Sequence, residues 1–151
     1  MQRVVFANKH VQRQSFFLTH KRVVLIFGIG NDIIEVKRIE QSIGKNIRLL
    51  HKLFTENERK YCDGKKNNNV RFQCYAARFA AKEAFFKALG TGYRYGMEFT
   101  EIEVFNNKLG KPCIYTSGKV LEFVTKNKIS KIHLSISHVK DTATAFVVLE
   151  K

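Results

Sequence analysis

The spacing of hydrophobic positions changes along the chain and separates a helical first part from a strand-rich last third. Residues 23–30 form an apolar run, VVLIFGIG, which is rich in β-branched residues and closed by glycines, as is typical of a buried strand. Apolar residues then recur at helical spacing through 33–43. We therefore expect a helix that follows Asp32 and ends at Gly44.

Three more helices are predicted in the middle of the chain. A short one covers residues 46–52. Thr55 and Glu58 have the spacing of a capping box, in which each side chain accepts the backbone N–H of the other residue, so the next helix begins there. The longest helix covers residues 70–89, which are rich in strong helix formers, and the glycines of 90–92 end it.

The last third alternates apolar and polar residues instead. Alternation over 100–104 predicts a half-buried strand, and a turn leads to a second strand near 113–115. A helix is expected over 118–126. The segments 133–139 and 142–150 then form a predicted hairpin. The fold class is therefore α+β, with an N-terminal strand and helices followed by mostly antiparallel strands.

Length and charge limit the range of functions. A chain of 151 residues has the size of one domain, and it contains no apolar run of about 18 residues, so membrane insertion is not expected. Lys and Arg number 27 against 13 Asp and Glu, which gives a net charge of +14. Such an excess favours an anionic partner. Nucleic acid, an acidic protein, a phosphorylated cofactor and a membrane surface all qualify, and a basic protein without a special partner remains an alternative.

Two other features concern cysteines and the beginning of the sequence. The three cysteines, Cys62, Cys74 and Cys113, are odd in number and include no CxxC pair, so we expect free thiols in a reducing cytosol and neither a disulfide framework nor a zinc site. Residues 1–24 contain five cations and no acid. They are interpreted as a basic leader, a nucleic-acid-touching arm or sequence upstream of the true start. The expected folded domain is 25–151.

The glycines before Asp32 resemble a dinucleotide-binding turn, but the pattern is incomplete. A third glycine is required at the position of Ile33, and no phosphate-binding GK[ST] loop is present. What remains is an aspartate at the end of a buried strand. Asp32 could cap the following helix or bind a metal ion, and the spacing alone leaves both roles open.

The segment RFAAKEAFFKALGTG concentrates charge on one helix. Glu83 and Lys87 are four residues apart, as are Arg78 and Lys82, so they could form an ordinary solvated face. They could instead bind a polyanion. Asp32 and Glu83 would then supply two carboxylates to Mg²⁺, and the three cations would hold phosphates.

The segment Ser135-Ile136-Ser137-His138 is the third candidate. Strand alternation places Ile136 and His138 on one face and both serines on the other. A single histidine at a strand end has an ordinary structural role in most proteins. The serine beside it lacks the G-x-S-x-G elbow of serine hydrolases.

Together these motifs resemble the holo-acyl-carrier-protein synthases, the small bacterial branch of the phosphopantetheinyl transferases. The resemblance begins near Leu25 and includes, in the family's order, GIGNDIIEVKRIE, FTENERKYC, RFAAKEAFFKALGTG, NNKLGKP and LSISHVKDTATAFVV. It implies a cytoplasmic, trimeric, Mg²⁺-dependent enzyme of fatty acid biosynthesis. Such enzymes transfer phosphopantetheine from coenzyme A to a serine of acyl carrier protein and release adenosine 3′,5′-bisphosphate.

The resemblance also assigns roles to residues. Asp32 and Glu83 match the protein ligands of Mg²⁺, and with Lys87 they form the implied catalytic group. The implied coenzyme A site consists of Arg78, Lys82, Lys87, Gly90, Thr91, Gly92 and His138. The implied docking residues for acidic acyl carrier protein are Arg38, Lys45 and Arg48. Either Glu83 or a water held by Glu83 and the metal could take the serine proton.

A rival function is that of a basic nucleic-acid-binding module. It would use the net charge and the cations of residues 1–24. However, no recognisable RNA- or DNA-reading motif is present, and the resemblance implies neither a nucleic acid nor a membrane partner.

Overall fold

The computed structural model describes residues 25–151, so the expectations for residues 1–24 lie outside the described part. Its elements in chain order are β1 (Ile26–Glu35), α1 (Val36–Gly44), α2 (Ile47–Leu53), α3 (Glu56–Asp63), α4 (Asn68–Leu89), a 3₁₀ turn (Phe99–Glu101), β2 (Ile102–Asn106), β3 (Pro112–Thr116), α5 (Gly118–Lys126), β4 (Lys131–His138) and β5 (Thr142–Glu150).

The strands form two antiparallel sheets. Three strands are ordered β1-β5-β4, so the first strand pairs with the last, and β2 pairs with β3. The long helix α4 packs against one face of the three-stranded sheet. Apolar residues such as Phe85 of α4 and Val147 and Leu149 of β5 are fully buried there. The predicted α+β class is confirmed.

The first strand is longer than the hydrophobic pattern predicted. β1 continues through Asp32 to Glu35 because its backbone stays paired with β5, with Asp32 opposite Ala145. The first helix therefore begins only at Val36, and Glu35 is its N-cap residue. The expectation of a helix directly after Asp32 is wrong, and so is the capping role considered for Asp32.

Local capping chemistry was predicted more accurately. The Thr55 hydroxyl accepts the Glu58 N–H at 3.2 Å, and the Glu58 carboxylate accepts the Thr55 N–H at 2.8 Å. At the other end of the helical region, Gly90 has φ +73° and ends α4 in the left-handed conformation that glycine tolerates best. The capping box and this helix end are confirmed.

The expectation of free thiols is wrong for two of the three cysteines. Cys62 of α3 and Cys74 of α4 form a disulfide, and their Cα atoms are 5.5 Å apart. Cys113 is free. The two partners are 12 residues apart in sequence, and folding brings them together because α3 packs against α4.

The C-terminal part follows the predicted pattern. The helix begins and ends at the expected residues, 118 and 126, and β4 and β5 form the expected antiparallel hairpin. The expected strand over 100–104 is wrong at its beginning, because residues 100 and 101 belong to the 3₁₀ turn and β2 begins only at Ile102. Among residues 25–151, no helix has both the length and the hydrophobicity of a membrane span.

Candidate active site

Two glycines of β1 bring the strand into direct contact with α4. A Cβ atom at Gly28 would overlap the carbonyl oxygen of Ala88, and one at Gly30 would overlap that of Ala84. The close approach therefore requires residues without a side chain. Its consequence is that Asp32, two residues beyond Gly30, lies beside the last turns of α4.

Asp32 and Lys87 form an ion pair at this junction. The Lys87 ammonium donates to the Asp32 carboxylate at 2.8 Å and to the Asn31 carbonyl oxygen at 3.0 Å. The Asp32 side chain is 14% exposed, whereas that of Lys87 is 52% exposed. On the other side, the Thr144 hydroxyl donates to the Asp32 carbonyl oxygen at 2.8 Å. The carboxylate is thus fixed at the surface of the protein, where a ligand could reach it.

Glu83 lies one helical turn before Lys87 and faces the same region. Its pKa is raised above the ordinary value, first because burial disfavours the charged carboxylate and second because the negative charge of Asp32 is nearby. Lys87 and Arg38 act in the opposite direction. Two carboxylates that repel each other across strand and helix form a site for a cation.

Two carboxylates are fewer ligands than a closed metal site requires. Among the described residues, no group of three or more His, Cys, Asp or Glu side chains could hold a metal ion. Mg²⁺, however, is commonly bound by one or two carboxylates, with water and phosphate oxygens completing its octahedron. The oxygen donors of Asp32 and Glu83 therefore fit Mg²⁺ that is shared with a phosphorylated substrate.

A pocket of about 320 Å³ lies nearer the beginning of α4 than the Asp32–Glu83 carboxylates. Its lining residues include Arg78 of α4 and His138 of β4. Arg78 is only 5% exposed. Its guanidinium donates to the Cys74 sulfur at 3.0 Å and to the Asn106 side chain at 3.3 Å, but its Nε has no partner. Burial lowers the pKa of Arg78. A buried, incompletely bonded cation in an open pocket is suited to an anionic ligand.

Lys82 cannot contribute to such an anion site in this structure. Its side chain is completely buried, and its ammonium donates to the Glu58 carboxylate at 2.7 Å and to the carbonyl oxygens of Leu53 at 2.7 Å and Phe99 at 2.9 Å. All three of its donor positions are therefore used inside the protein. The expectation that Lys82 binds cofactor phosphate is corrected to a role in holding α4 to its neighbours.

The other expected residues of the coenzyme A site follow Lys87. Gly90 and Gly92 both have positive φ angles, and added Cβ atoms would meet nothing within 4 Å at either position. The Thr91 hydroxyl donates to the Gly92 carbonyl oxygen at 3.0 Å. The glycines are therefore required for the shape of the turn, while the role of these three residues in binding stays a prediction.

A groove beside Glu83 was missed by the sequence analysis. It has a volume of about 260 Å³ and includes Glu83, Arg38 and Ser42 among its polar residues. Its apolar lining residues are Ile34, Ile39, Leu49, Leu53, Phe79 and Phe99. Only the amphipathic pattern of 33–43 indicated part of this wall. The remaining residues come from separate elements that tertiary packing brings together.

The three expected docking residues are all exposed. Arg38 is on α1, Lys45 directly follows α1, and Arg48 is on α2. Of the three, Arg38 lines the groove, and its charge acts to lower the pKa of Glu83. The docking role of these residues stays a prediction.

Comparisons with known proteins agree on one family. The family model described as the 4′-phosphopantetheinyl transferase superfamily matches residues 28–147. A holo-[acyl-carrier-protein] synthase of Clostridium tetani is 48% identical over 126 residues, which are 83% of this chain and 97% of that protein.

Solved structures give the same relationship. A holo-(acyl-carrier-protein) synthase of Bacillus anthracis, in complex with CoA (3′,5′-ADP), is 44% identical with a TM-score of 0.69, and the match covers 83% of this chain and 97% of that one. The enzyme of Neisseria meningitidis is 36% identical with a TM-score of 0.76, over 84% and 100% of the two chains.

Proposed function

The chain belongs to the holo-acyl-carrier-protein synthases of the 4′-phosphopantetheinyl transferase superfamily, and we propose that Asp32, Glu83 and Lys87 form its catalytic centre. The enzyme transfers phosphopantetheine from coenzyme A to apo acyl carrier protein, a reaction of fatty acid biosynthesis. The observation that carries the proposal is the meeting of β1 and α4, where two carboxylates and one ammonium converge.

Asp32 and Glu83 are the residues that would hold Mg²⁺. When bound, Mg²⁺ would neutralise charge on the non-bridging oxygens of the pyrophosphate. The Thr144 hydroxyl donates to the Asp32 backbone carbonyl and holds this part of β1, while Lys87 pairs with the Asp32 carboxylate. Glu83 provides the second carboxylate from the facing helix.

The cations act on the phosphates themselves. Lys87 would move from the Asp32 carboxylate to a phosphate oxygen and stabilise the leaving side of coenzyme A. Arg78 and His138 would bind the nucleotide phosphates in their pocket, and the Gly90–Thr91–Gly92 turn would complete the cofactor site. The serine proton would pass to Glu83, directly or through a water held by Glu83 and the metal.

Acyl carrier protein would dock on the surface formed by Arg38, Lys45 and Arg48. Carrier proteins of this class are acidic, so opposite fields would steer the encounter. The groove beside Glu83 lies at the edge of this surface. A carrier serine delivered there would reach the catalytic centre.

The third part of the proposal is a homotrimer, the assembly that the family resemblance implies. One face of the three-stranded sheet packs on α4, but the other face exposes Ile29 (54%), Ile33 (67%) and Phe146 (45%). Exposed apolar residues grouped on one face mark interaction surfaces. We therefore include a homotrimer in the proposal, together with 25–151 as the transferase domain and a cytoplasmic location.

Mass spectrometry of the carrier protein tests the function directly. Apo acyl carrier protein incubated with this enzyme, coenzyme A and Mg²⁺ should gain the mass of one phosphopantetheine group. Chelation of the metal should stop the gain, and restored Mg²⁺ should return it. An unmodified carrier under all conditions would contradict the proposal.

A further inference from the structure

Tyr61 lies beside the buried arginine of the nucleotide pocket. It belongs to the last turn of α3, is 45% exposed and lines the pocket together with Arg78. The Cζ atom of Arg78 is 4.3 Å from the centre of the Tyr61 ring, and the ammonium of Lys65 is 3.7 Å from the same centre. Both distances are within the range of cation–π contacts.

The contact between Tyr61 and Arg78 is held by a covalent link. The disulfide joins Cys62, the residue after Tyr61, to Cys74, which is one helical turn before Arg78. Arg78 itself donates to the Cys74 sulfur and to the Cys74 carbonyl oxygen. The disulfide therefore fixes the distance between α3 and α4 next to the Tyr61 ring and the Arg78 guanidinium.

These contacts do not use all the donors of the guanidinium. The sulfur, the Cys74 carbonyl and Asn106 accept from the two terminal nitrogens of Arg78, while Nε is buried and has no partner. An arginine side chain has several rotatable bonds and could otherwise turn toward solvent. An aromatic face attracts the cation without using a donor.

We infer that Tyr61 is a positioning residue of the transferase: its ring holds the Arg78 guanidinium in the pocket with donors left for a nucleotide phosphate of coenzyme A. The inference rests on the proposed function, because it takes Arg78 as a phosphate-binding residue. The guanidinium carbon lies 4.3 Å from the ring centre, so the aromatic face is the part of Tyr61 that we expect to act, and the hydroxyl group should be dispensable. Its effect belongs to binding of the nucleotide end and not to the chemistry at Asp32 and Glu83.

Calorimetric titration with adenosine 3′,5′-bisphosphate provides the test, because this product carries the nucleotide phosphates without the phosphopantetheine. Tyr61→Leu and Tyr61→Gln should each weaken binding by about tenfold, a loss between those of exposed and desolvated cation–π contacts, since the guanidinium is buried and the ring is half-exposed. Tyr61→Phe keeps the ring and should bind as the wild type does. Tyr115→Leu, an exposed tyrosine of β3, serves as the matched control.

Steady-state kinetics separates positioning from folding. Tyr61→Leu should raise KM for coenzyme A and leave KM for the carrier unchanged. Wild-type affinity in both ring-deleting variants would overturn the inference, as would a loss of affinity in Tyr61→Phe equal to that in Tyr61→Leu. If both ring-deleting variants failed to fold, Tyr61 would be part of the core structure and the inference would also be wrong. Normal binding by Arg78→Ala would refute the premise taken from the proposed function.

Discussion

At the scale of residues, three ionisable side chains in the second half of α4 lie in two different environments. Glu83 and Lys87 face the junction with β1, whereas Lys82 points into the protein and forms a fully buried pair with Glu58. Glu58 in turn accepts the backbone N–H groups of Thr55 and Val104. Adjacent positions of one helix thus belong to the proposed catalytic centre and to the packed interior.

Replacing Lys82 by Met should therefore destabilise the protein without changing its affinity for coenzyme A. Removing one partner leaves the Glu58 carboxylate buried without its cation, which costs about 3–5 kcal/mol. Urea unfolding should show the loss of stability, and KM for coenzyme A should stay constant at a temperature where the variant is folded. A stable variant with a raised KM for coenzyme A would instead indicate that Lys82 binds a phosphate of coenzyme A.

The sequence was sufficient to select the residues of the proposed centre but not to describe their surroundings. The motifs around Asp32 and Glu83 are local and specific, so their residues could be selected before any fold was known. The burial of Lys82 could not be predicted, because its three acceptors come from separate parts of the chain. Tyr61 lies in the segment FTENERKYC, but that segment gave no role to its side chain, and only the packing of α3 on α4 places the ring at Arg78.

At the scale of elements, local patterns predicted most helix ends but not the length of β1. Capping residues act within a few positions, so the beginning of α3 and the end of α4 were visible in the sequence. The continuation of β1 to Glu35 depends on pairing with β5, more than 100 residues away along the chain. Residues 33–35 therefore belong to the strand, although their hydrophobic spacing is helical. No local pattern reveals the strand with which they pair.

The disulfide between α3 and α4 should contribute measurable stability. In the chain-entropy account, a link that closes a loop of this length stabilises the folded state by about 3 kcal/mol. Urea unfolding with and without dithiothreitol should show the difference in the wild type. The Cys62→Ser/Cys74→Ser double variant should unfold at the same midpoint with or without reductant, and Cys113→Ser should behave like the wild type. An unchanged wild-type midpoint after reduction would contradict the link.

At the scale of the whole molecule, the exposed apolar face of the sheet predicts association. Phe146→Asp places a charge at the centre of that face and should convert trimers into monomers, because the charge would have to be buried without a partner. Light scattering measures the mass of each species. Tyr115→Asp, on the separate two-stranded sheet, should remain trimeric. A monomeric wild type would contradict the trimer.

The positive surface around Arg38 should control the encounter with the carrier protein. Arg38→Glu should raise KM for the carrier far more than KM for coenzyme A, and the defect should shrink as salt screens the charges. Lys126→Glu makes the same charge change on α5 and should have a much smaller effect. Equal effects of Arg38→Glu on both substrates would place Arg38 in the catalytic centre instead.

The central claim is that the carboxylates of Asp32 and Glu83 together hold the metal ion for transfer. The most direct test is the rate of phosphopantetheine transfer to acyl carrier protein at saturating coenzyme A and Mg²⁺. Glu83→Gln keeps the size and helix propensity of the side chain but removes the charge, so the rate should fall on the order of a hundredfold or more. Glu122→Gln on α5 should retain the wild-type rate, whereas a near-normal rate in Glu83→Gln would contradict the claim.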